Sequence, residues 1–163
     1  METAVPDGIT VAPTREDDPF AWALELATKV RHRQGALTLL DREALSEFLE
    51  DWADEMLATV RSQIVNLLSH ATKVANTRNP DVIGHWRSEC VEFHDRLIDT
   101  YDPSMRDKID METLWRRAQR KVVASFRDNG EPPPRLPALC PLGIDDLIDP
   151  ELDLDRMVAA ING

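Results

Sequence analysis

One uninterrupted stretch, residues 40–75, limits what this chain can fold into. It contains neither glycine nor proline, and apolar residues recur along it in steps of three and four. This spacing predicts a single amphipathic α-helix. At a rise of about 1.5 Å per residue, the helix would be about 50 Å long, which exceeds the width of a small domain. We therefore expect different parts of the chain to cover its two halves.

Three positions combine a short polar side chain with a following proline, which is typical of the first turn of a helix. They are Asp18-Pro19, Asn79-Pro80 and Asp102-Pro103. We predict that a helix begins at each of them, and that Asn129-Gly130 ends the fourth helix. Asp110 is an alternative start for a new segment within that fourth helix. The predicted fold class is all-α, a four-helix antiparallel bundle built on the long central helix, with an extended C-terminal tail packed on it.

Composition divides the remainder of the chain into an arm, a domain and a short end. Residues 1–17 are polar and contain two prolines, which predicts a flexible N-terminal arm. Residues 18–150 are expected to form a single helical domain, and residues 151–163 a short C-terminal helix or tail. Within the domain, the proline-rich residues 131–137 are expected to be stiff and extended.

The charge of the chain bears on its partners. The 163 residues carry a formal net charge of −11, which repels nucleic-acid phosphates and anionic membranes. No apolar run approaches the roughly 20 residues of a membrane span, and the N-terminus lacks the features of a secretion signal. Cys90 and Cys140 form no disulfide or zinc pattern. We therefore predict a cytoplasmic protein that binds neither nucleic acid nor membrane.

Short segments spread along most of the chain resemble a known family. They are DPFAW at 18–22, LD at 40–41, LSEFLE at 45–50, RSQIVNLLSH at 61–70, WR at 86–87, PSMR at 103–106, LPALCP at 136–141 and LID at 147–149. In order and spacing they resemble the mostly bacterial family catalogued as domain of unknown function 29. The resemblance implies an α-helical protein with no assigned activity. The sequence departs from the family pattern after Lys73, which the usual Trp does not follow, and at Asn79-Pro80, where the family has Gln-Pro.

The acidic face of the long helix is the first candidate site. It consists of Glu43, Glu47, Glu50, Asp51 and Asp54. The third helix adds Glu89, Glu92, Asp95 and Asp99. Carboxylates at this spacing on facing helices can hold Mg²⁺ or Mn²⁺, as in an all-α nucleotide pyrophosphohydrolase. The favoured alternative is a solvated face that is paired in part with Lys29, Arg31 and Arg33 of the first helix.

The second candidate joins two histidines across the turn between the long helix and the third helix. An antiparallel register places His70 level with His85 and Trp86, with Lys73 close by. Two imidazoles can bind a metal ion or relay a proton, although the sequence shows no obvious third ligand. The favoured alternative is a capping and packing role at the end of this hairpin.

The third candidate is a basic group beside Trp115 on the fourth helix. It consists of Arg116, Arg117, Arg120 and Lys121. Guanidinium groups at this spacing can clamp a phosphate. We favour the alternative that these side chains pair with Glu89 and Glu92 of the adjacent helix.

The sequence favours interaction over catalysis. It contains no nucleophile constellation and no Gly-rich phosphate loop, and no metal or other cofactor is favoured. Phe48, Leu49 and Trp52 need more cover than the first helix provides. The C-terminal tail or a second copy of the chain could supply it, and we predict a homodimer. We therefore expect a protein–protein interaction or regulatory module with an unidentified protein partner. The alternative is a divalent-metal-dependent nucleotide hydrolase, whose candidate ligands are Glu47, Glu50, Asp54, His70 and His85.

Overall fold

The computed structural model describes residues 17–32 and 39–163, except for the side chains of Leu40 and Asp41. Its helices are α1 (Pro19–His32), α2 (Leu39–Asn76), α3 (Pro80–Thr100), a 3₁₀ helix (Pro103–Lys108), α4 (Met111–Asp128), α5 (Ile144–Leu147) and α6 (Leu154–Asn162). The described residues contain no strand, and the predicted all-α class is confirmed. None of the helices in these ranges is long and apolar enough to cross a membrane.

The chain forms two compact units, and the border between them falls inside α2. The first unit extends to Asp54, and the second runs from Glu55 to Gly163. Residues 1–16 of the expected N-terminal arm lie outside the described residues, as do residues 33–38 between α1 and α2.

The first unit pairs α1 with the beginning of α2. Phe20, Ala23 and Ala27 of α1 are buried, as are Leu49 and Ala53 of α2. The helices run antiparallel, since Trp22 meets Trp52 and Ala27 meets Ser46. The two indole rings are nearly perpendicular, with centroids 6.3 Å apart, and the buried Ser46 hydroxyl donates to the Ala27 carbonyl over 2.7 Å. The expected side-by-side placement of these helices is therefore present.

The second unit has a core built from three helices. Its buried apolar residues include Val60, Ile64, Leu67, Leu68 and Ala71 of α2, Trp86, Cys90 and Leu97 of α3, and Leu114, Trp115, Ala118, Val122 and Phe126 of α4. These positions recur in steps of three and four, so each helix buries one stripe. Because α2 is covered by both α3 and α4, its stripe is wider here than in the first unit.

Caps followed by proline start α1 and α3 as predicted. Asn79 accepts a hydrogen bond from the Asp81 amide over 3.0 Å, and Pro80 occupies the first turn. Asp18 accepts from the Ala21 amide over 2.9 Å. A short polar side chain thus satisfies an amide that has no partner within the helix.

The start of α4 differs from the prediction. Asp102-Pro103 begins only a short 3₁₀ helix, and α4 begins at Met111. Asp110 makes the decisive contact, because it accepts from both the amide and the hydroxyl of Thr113, over 3.1 and 2.6 Å. At the other end, Gly130 has a φ of 67°, which supports the predicted termination of α4.

The C-terminal tail packs on the helical core of the second unit. The Pro137 carbonyl accepts hydrogen bonds from the Trp115 indole over 3.0 Å and from Gln119 over 2.7 Å. The Arg135 amide donates to Asn76 over 2.8 Å. Further along the tail, the Asp149 carbonyl accepts from the buried imidazole of His94 over 2.8 Å. Polar bonds therefore fix the tail at several points of the helical core.

We predict that Asn79→Ala lowers the free energy of unfolding by about 1 kcal/mol, since the first turn of α3 loses its cap. Urea unfolding followed by circular dichroism measures the change. The exposed neighbour Arg78 lies outside the helix, so Arg78→Ala is the matched control and should change stability by less than half as much. Equal losses in the two variants would contradict the capping role of Asn79.

Candidate functional site

Arg31 organises the acidic face of α2 in the first unit. Its Nη1 lies 2.7 Å from Glu50 Oε1, and its Nε lies 3.5 Å from Glu43 Oε1. The hydrogen bond from Arg31 lowers the pKa of Glu50, and Glu50 in turn raises the pKa of Arg31. These contacts support the interpretation that cations of α1 pair with the acidic face.

The remaining charges of this face do not all pair as expected. Lys29 was expected to pair with this face, but it forms an ion pair with Glu25 of its own helix. Arg33 lies outside the described residues, and Glu47 and Asp54 are exposed. Nowhere in residues 17–32 and 39–163 do three or more His, Cys, Asp or Glu side chains form a group that could hold a metal ion.

The second unit brings two imidazoles to one carboxylate, and we call His70, His85 and Glu89 the histidine–glutamate cluster. His70 Nε2 lies 3.0 Å from Glu89 Oε2, and His85 Nε2 lies 3.5 Å from the same oxygen. His70 projects from α2, whereas the other two side chains lie one turn apart on α3. The cluster therefore links α2 to α3.

The His70 ring is held on three sides. Its Nδ1 lies 2.9 Å from the Asn66 carbonyl, which can only accept, so this nitrogen carries a proton. The ring centroid lies 5.0 Å from that of Phe93. Burial lowers the pKa of His70, and the charge of Lys73 acts in the same direction, while Asn66 and Glu89 oppose them. The net effect places the pKa of His70 below the ordinary value of an imidazole.

Two lysines flank the cluster. The Lys73 ammonium lies 5.4 Å from the centroid of the Trp86 ring, at cation–π distance. Burial lowers the pKa of Lys73, which Glu89 partly offsets. Lys121 of α4 donates to Asn66 Oδ1 over 2.8 Å. Positive charge thus approaches His70 from α2 and from α4.

The sequence analysis placed His70 near His85, but it did not predict that Glu89 lies between them. His70 was expected level with His85 and Trp86, whereas its nearest partner on α3 is Glu89, one turn further along. The register was therefore displaced by about four residues, roughly one helical turn. A usable signal was present, since His85 and Glu89 are four residues apart and share one face of α3.

The acidic residues expected to pair with the basic group have other partners. Glu89 contacts the two histidines, and Glu92 contacts Arg96 of its own helix at 3.6 Å. Of the basic group, Lys121 donates to Asn66, and Arg116 donates to Thr113 over 3.0 Å. The predicted pairing was wrong because those carboxylates lie closer to other cationic or imidazole groups.

Both cysteines are held as thiols. Burial raises the pKa of Cys90 to about 12. Burial also raises the pKa of Cys140, whose Sγ donates to the Leu142 carbonyl over 3.2 Å. Because the thiolate is the nucleophilic form, these surroundings suit a structural role.

A cavity that the sequence did not suggest lies in the second unit. It has a volume of about 500 Å³ and is lined by the end of α2, the proline-rich residues 132–137 and the end of α6. Arg78 and Arg135 supply its charge, whereas Asn76 uses its amide group to bind Thr72 and the Arg135 backbone. The side chains that line it include no carboxylate, imidazole or thiol. The walls are far apart in sequence, so no local pattern pointed to this cavity.

Comparison with known proteins places the chain in a family. An α-helical protein of unknown function from Rhodospirillum rubrum, known from its crystal structure, is 29% identical in sequence. The match covers 93% of this chain and 99% of the other, with a TM-score of 0.85. No curated protein matches the sequence significantly. The profile of the domain of unknown function DUF29 matches residues 15–152. The matched range contains helices α1 to α5. The chain belongs to the DUF29 family.

Proposed function

We propose that the protein is a helical interaction module without catalytic activity, which pairs with a second copy of itself through the first part of α2. The observation that carries this proposal is an exposed apolar pair one turn apart. Phe48 is 65% exposed and Leu45 is 38% exposed. Burying a large apolar side chain contributes about 2 kcal/mol, so covering this pair favours association.

Neighbouring residues of α2 explain why Leu45 and Phe48 remain exposed. Of the three residues expected to need cover, Leu49 is buried within the first unit, and Trp52 packs its ring against Trp22. Phe48, in contrast, remains largely exposed. The described part of α1 therefore covers one side of the apolar stripe on α2 and leaves the adjacent side to a partner.

A second copy is the occupant that we favour. In a twofold dimer the same surface serves both partners, so the patches cover each other in one closed contact. A small patch centred on one aromatic side chain suits this arrangement, because aromatic residues commonly anchor interfaces. Each copy then removes the Phe48 side chain of the other from water.

The residues first considered for chemistry have structural partners, which supports a role without catalysis. Glu50 is hydrogen-bonded to Arg31, and Glu89 bridges the two imidazoles of its cluster. Lys121 is hydrogen-bonded to Asn66.

We predict that the wild-type protein has the mass of a dimer in light scattering at micromolar concentration, and that Phe48→Ser shifts it to the mass of a monomer. The physical reason is the loss of the exposed aromatic side chain that anchors the interface. Val123 of α4 is 48% exposed, so Val123→Ser is the matched control and should remain dimeric. A wild-type protein of monomeric mass would refute the proposed self-association.

We also predict that Mg²⁺, Mn²⁺ and Zn²⁺ leave the melting temperature unchanged, with or without a nucleoside triphosphate. A ligand at 100 times its dissociation constant would add about 2.7 kcal/mol of stability, which a thermal melt detects readily. The control is the double variant Glu50→Gln/Asp54→Asn. A metal-dependent rise that this variant abolishes would instead favour the nucleotide hydrolase.

A further inference from the structure

The cavity beside the proline-rich residues 132–137 has the size and the walls of a small-molecule site. Its volume is about 500 Å³, and ligand pockets usually measure roughly 300–1,000 Å³. Ala75 at the end of α2, Pro133 and Leu136 of the tail, and Ile161 of α6 give it apolar walls. All of its lining residues belong to the second unit. An apolar enclosure with a few polar groups is typical of a binding site for a small molecule.

The tail wall of this cavity is anchored at both ends. Just before the prolines, Glu131 accepts a hydrogen bond from the Thr77 hydroxyl over 3.0 Å. At the far end, the Pro137 carbonyl accepts from the Trp115 indole. Because each proline ring fixes one backbone dihedral angle, the chain between these anchors has little conformational freedom. A ligand therefore meets a preformed wall and does not bear the cost of ordering it.

The side-chain charge of the cavity comes from Arg78 and Arg135, which are both exposed. Within the described residues neither guanidinium group forms an ion pair, whereas Arg106 elsewhere in the second unit pairs with Asp145. The carboxylate nearest to Arg135 along the chain, that of Glu131, is already hydrogen-bonded. Acidic side chains outnumber basic ones by 30 to 19 in this chain, yet only basic side chains supply charge to the cavity lining.

Other groups at the cavity carry negative charge but are not paired with the two arginines. The ends of α2 and α6 line the cavity, and the C-terminal end of a helix carries about half a negative charge. In α2 the Lys73 carbonyl already accepts from the Thr77 amide over 2.9 Å. The carboxyl group of Gly163, another lining residue, forms no ion pair with Arg78 or Arg135 in the described structure. Both guanidinium groups thus remain available to an incoming anion.

We propose that this cavity binds a small organic anion, whose carboxylate or phosphate group is held by Arg78 and Arg135 while its apolar part lies against the proline-rich wall. A guanidinium group offers two parallel N–H donors that match the oxygen atoms of either anion. The apolar walls favour a ligand with a hydrocarbon or aromatic body. This site is separate from the proposed self-association, which uses the first part of α2.

The test titrates the full chain with benzoate and with phenyl phosphate, at constant pH and ionic strength. In NMR, the backbone amides of Asn76 and Arg135 and the indole N–H of Trp115 report binding, because they line the cavity or bind its wall. We expect these resonances to shift in a saturable manner, and the tighter probe distinguishes a carboxylate site from a phosphate site. Inorganic phosphate should bind about tenfold more weakly than phenyl phosphate, since it has no apolar part to bury.

Arginine variants test the role of charge. Arg78→Gln and Arg135→Gln should each weaken binding of the tighter probe about tenfold, the effect of losing one charge-assisted hydrogen bond. Arg127 is exposed on α4 and pairs with Asp128, so Arg127→Gln is the matched control and should bind like the wild-type protein. The probe should also raise the melting temperature of the wild-type and control proteins more than that of either cavity variant. If one cavity variant does not fold, the other provides the same test.

Three results would overturn the proposal. Cavity resonances that move with neither aromatic anion would show that the cavity is not a site for such ligands. Equal affinity of the wild-type protein and both cavity variants, or equally tight binding of the cation benzylamine, would show that recognition does not depend on the guanidinium groups. Inorganic phosphate that binds as tightly as phenyl phosphate would show that the apolar walls do not take part.

Discussion

One continuous helix has to bury apolar side chains in two separate units, and the other features of this protein follow from that requirement. In the second unit α2 is covered by α3 and α4, and residues such as Ile64 and Leu68 are fully buried. In the first unit the described chain supplies only α1, and Phe48 remains exposed. The same helix is therefore a core element in one unit and, in our proposal, an interaction surface in the other.

Polar side chains mainly fix how the helices meet. Ser46 ties α1 to α2 through a buried hydrogen bond, and Arg31 extends that contact to the acidic face. In the second unit Glu89 links α2 to α3, and Lys121 links α2 to α4 through Asn66. Buried or half-buried polar contacts depend strongly on geometry, so they favour one register among several apolar alternatives.

The sequence predicted those parts of the fold that depend on local chemistry. The apolar stripe of α2 and the cap at Asn79 could be read directly, because helix periodicity and capping involve residues within one or two turns. The start of α4 could not be predicted in this way. Asp102-Pro103 and Asp110 both carry signals for a helix start, and only the folded chain selects between them. Glu89 was missed because a register error of one turn exchanges neighbours across a helix contact. The cavity at Arg135 depends on tail docking, which no local pattern encodes.

The most direct test of the central claim is hydrogen exchange along α2 at two protein concentrations, about 1 and about 100 µM, since only association depends on concentration. Our account predicts that peptides spanning residues 42–54 gain protection at the higher concentration, while those spanning residues 57–76 do not change. Protection that is independent of concentration throughout α2 would contradict self-association through the first unit. A gain confined to residues 57–76 would place the interface on the wrong part of the helix.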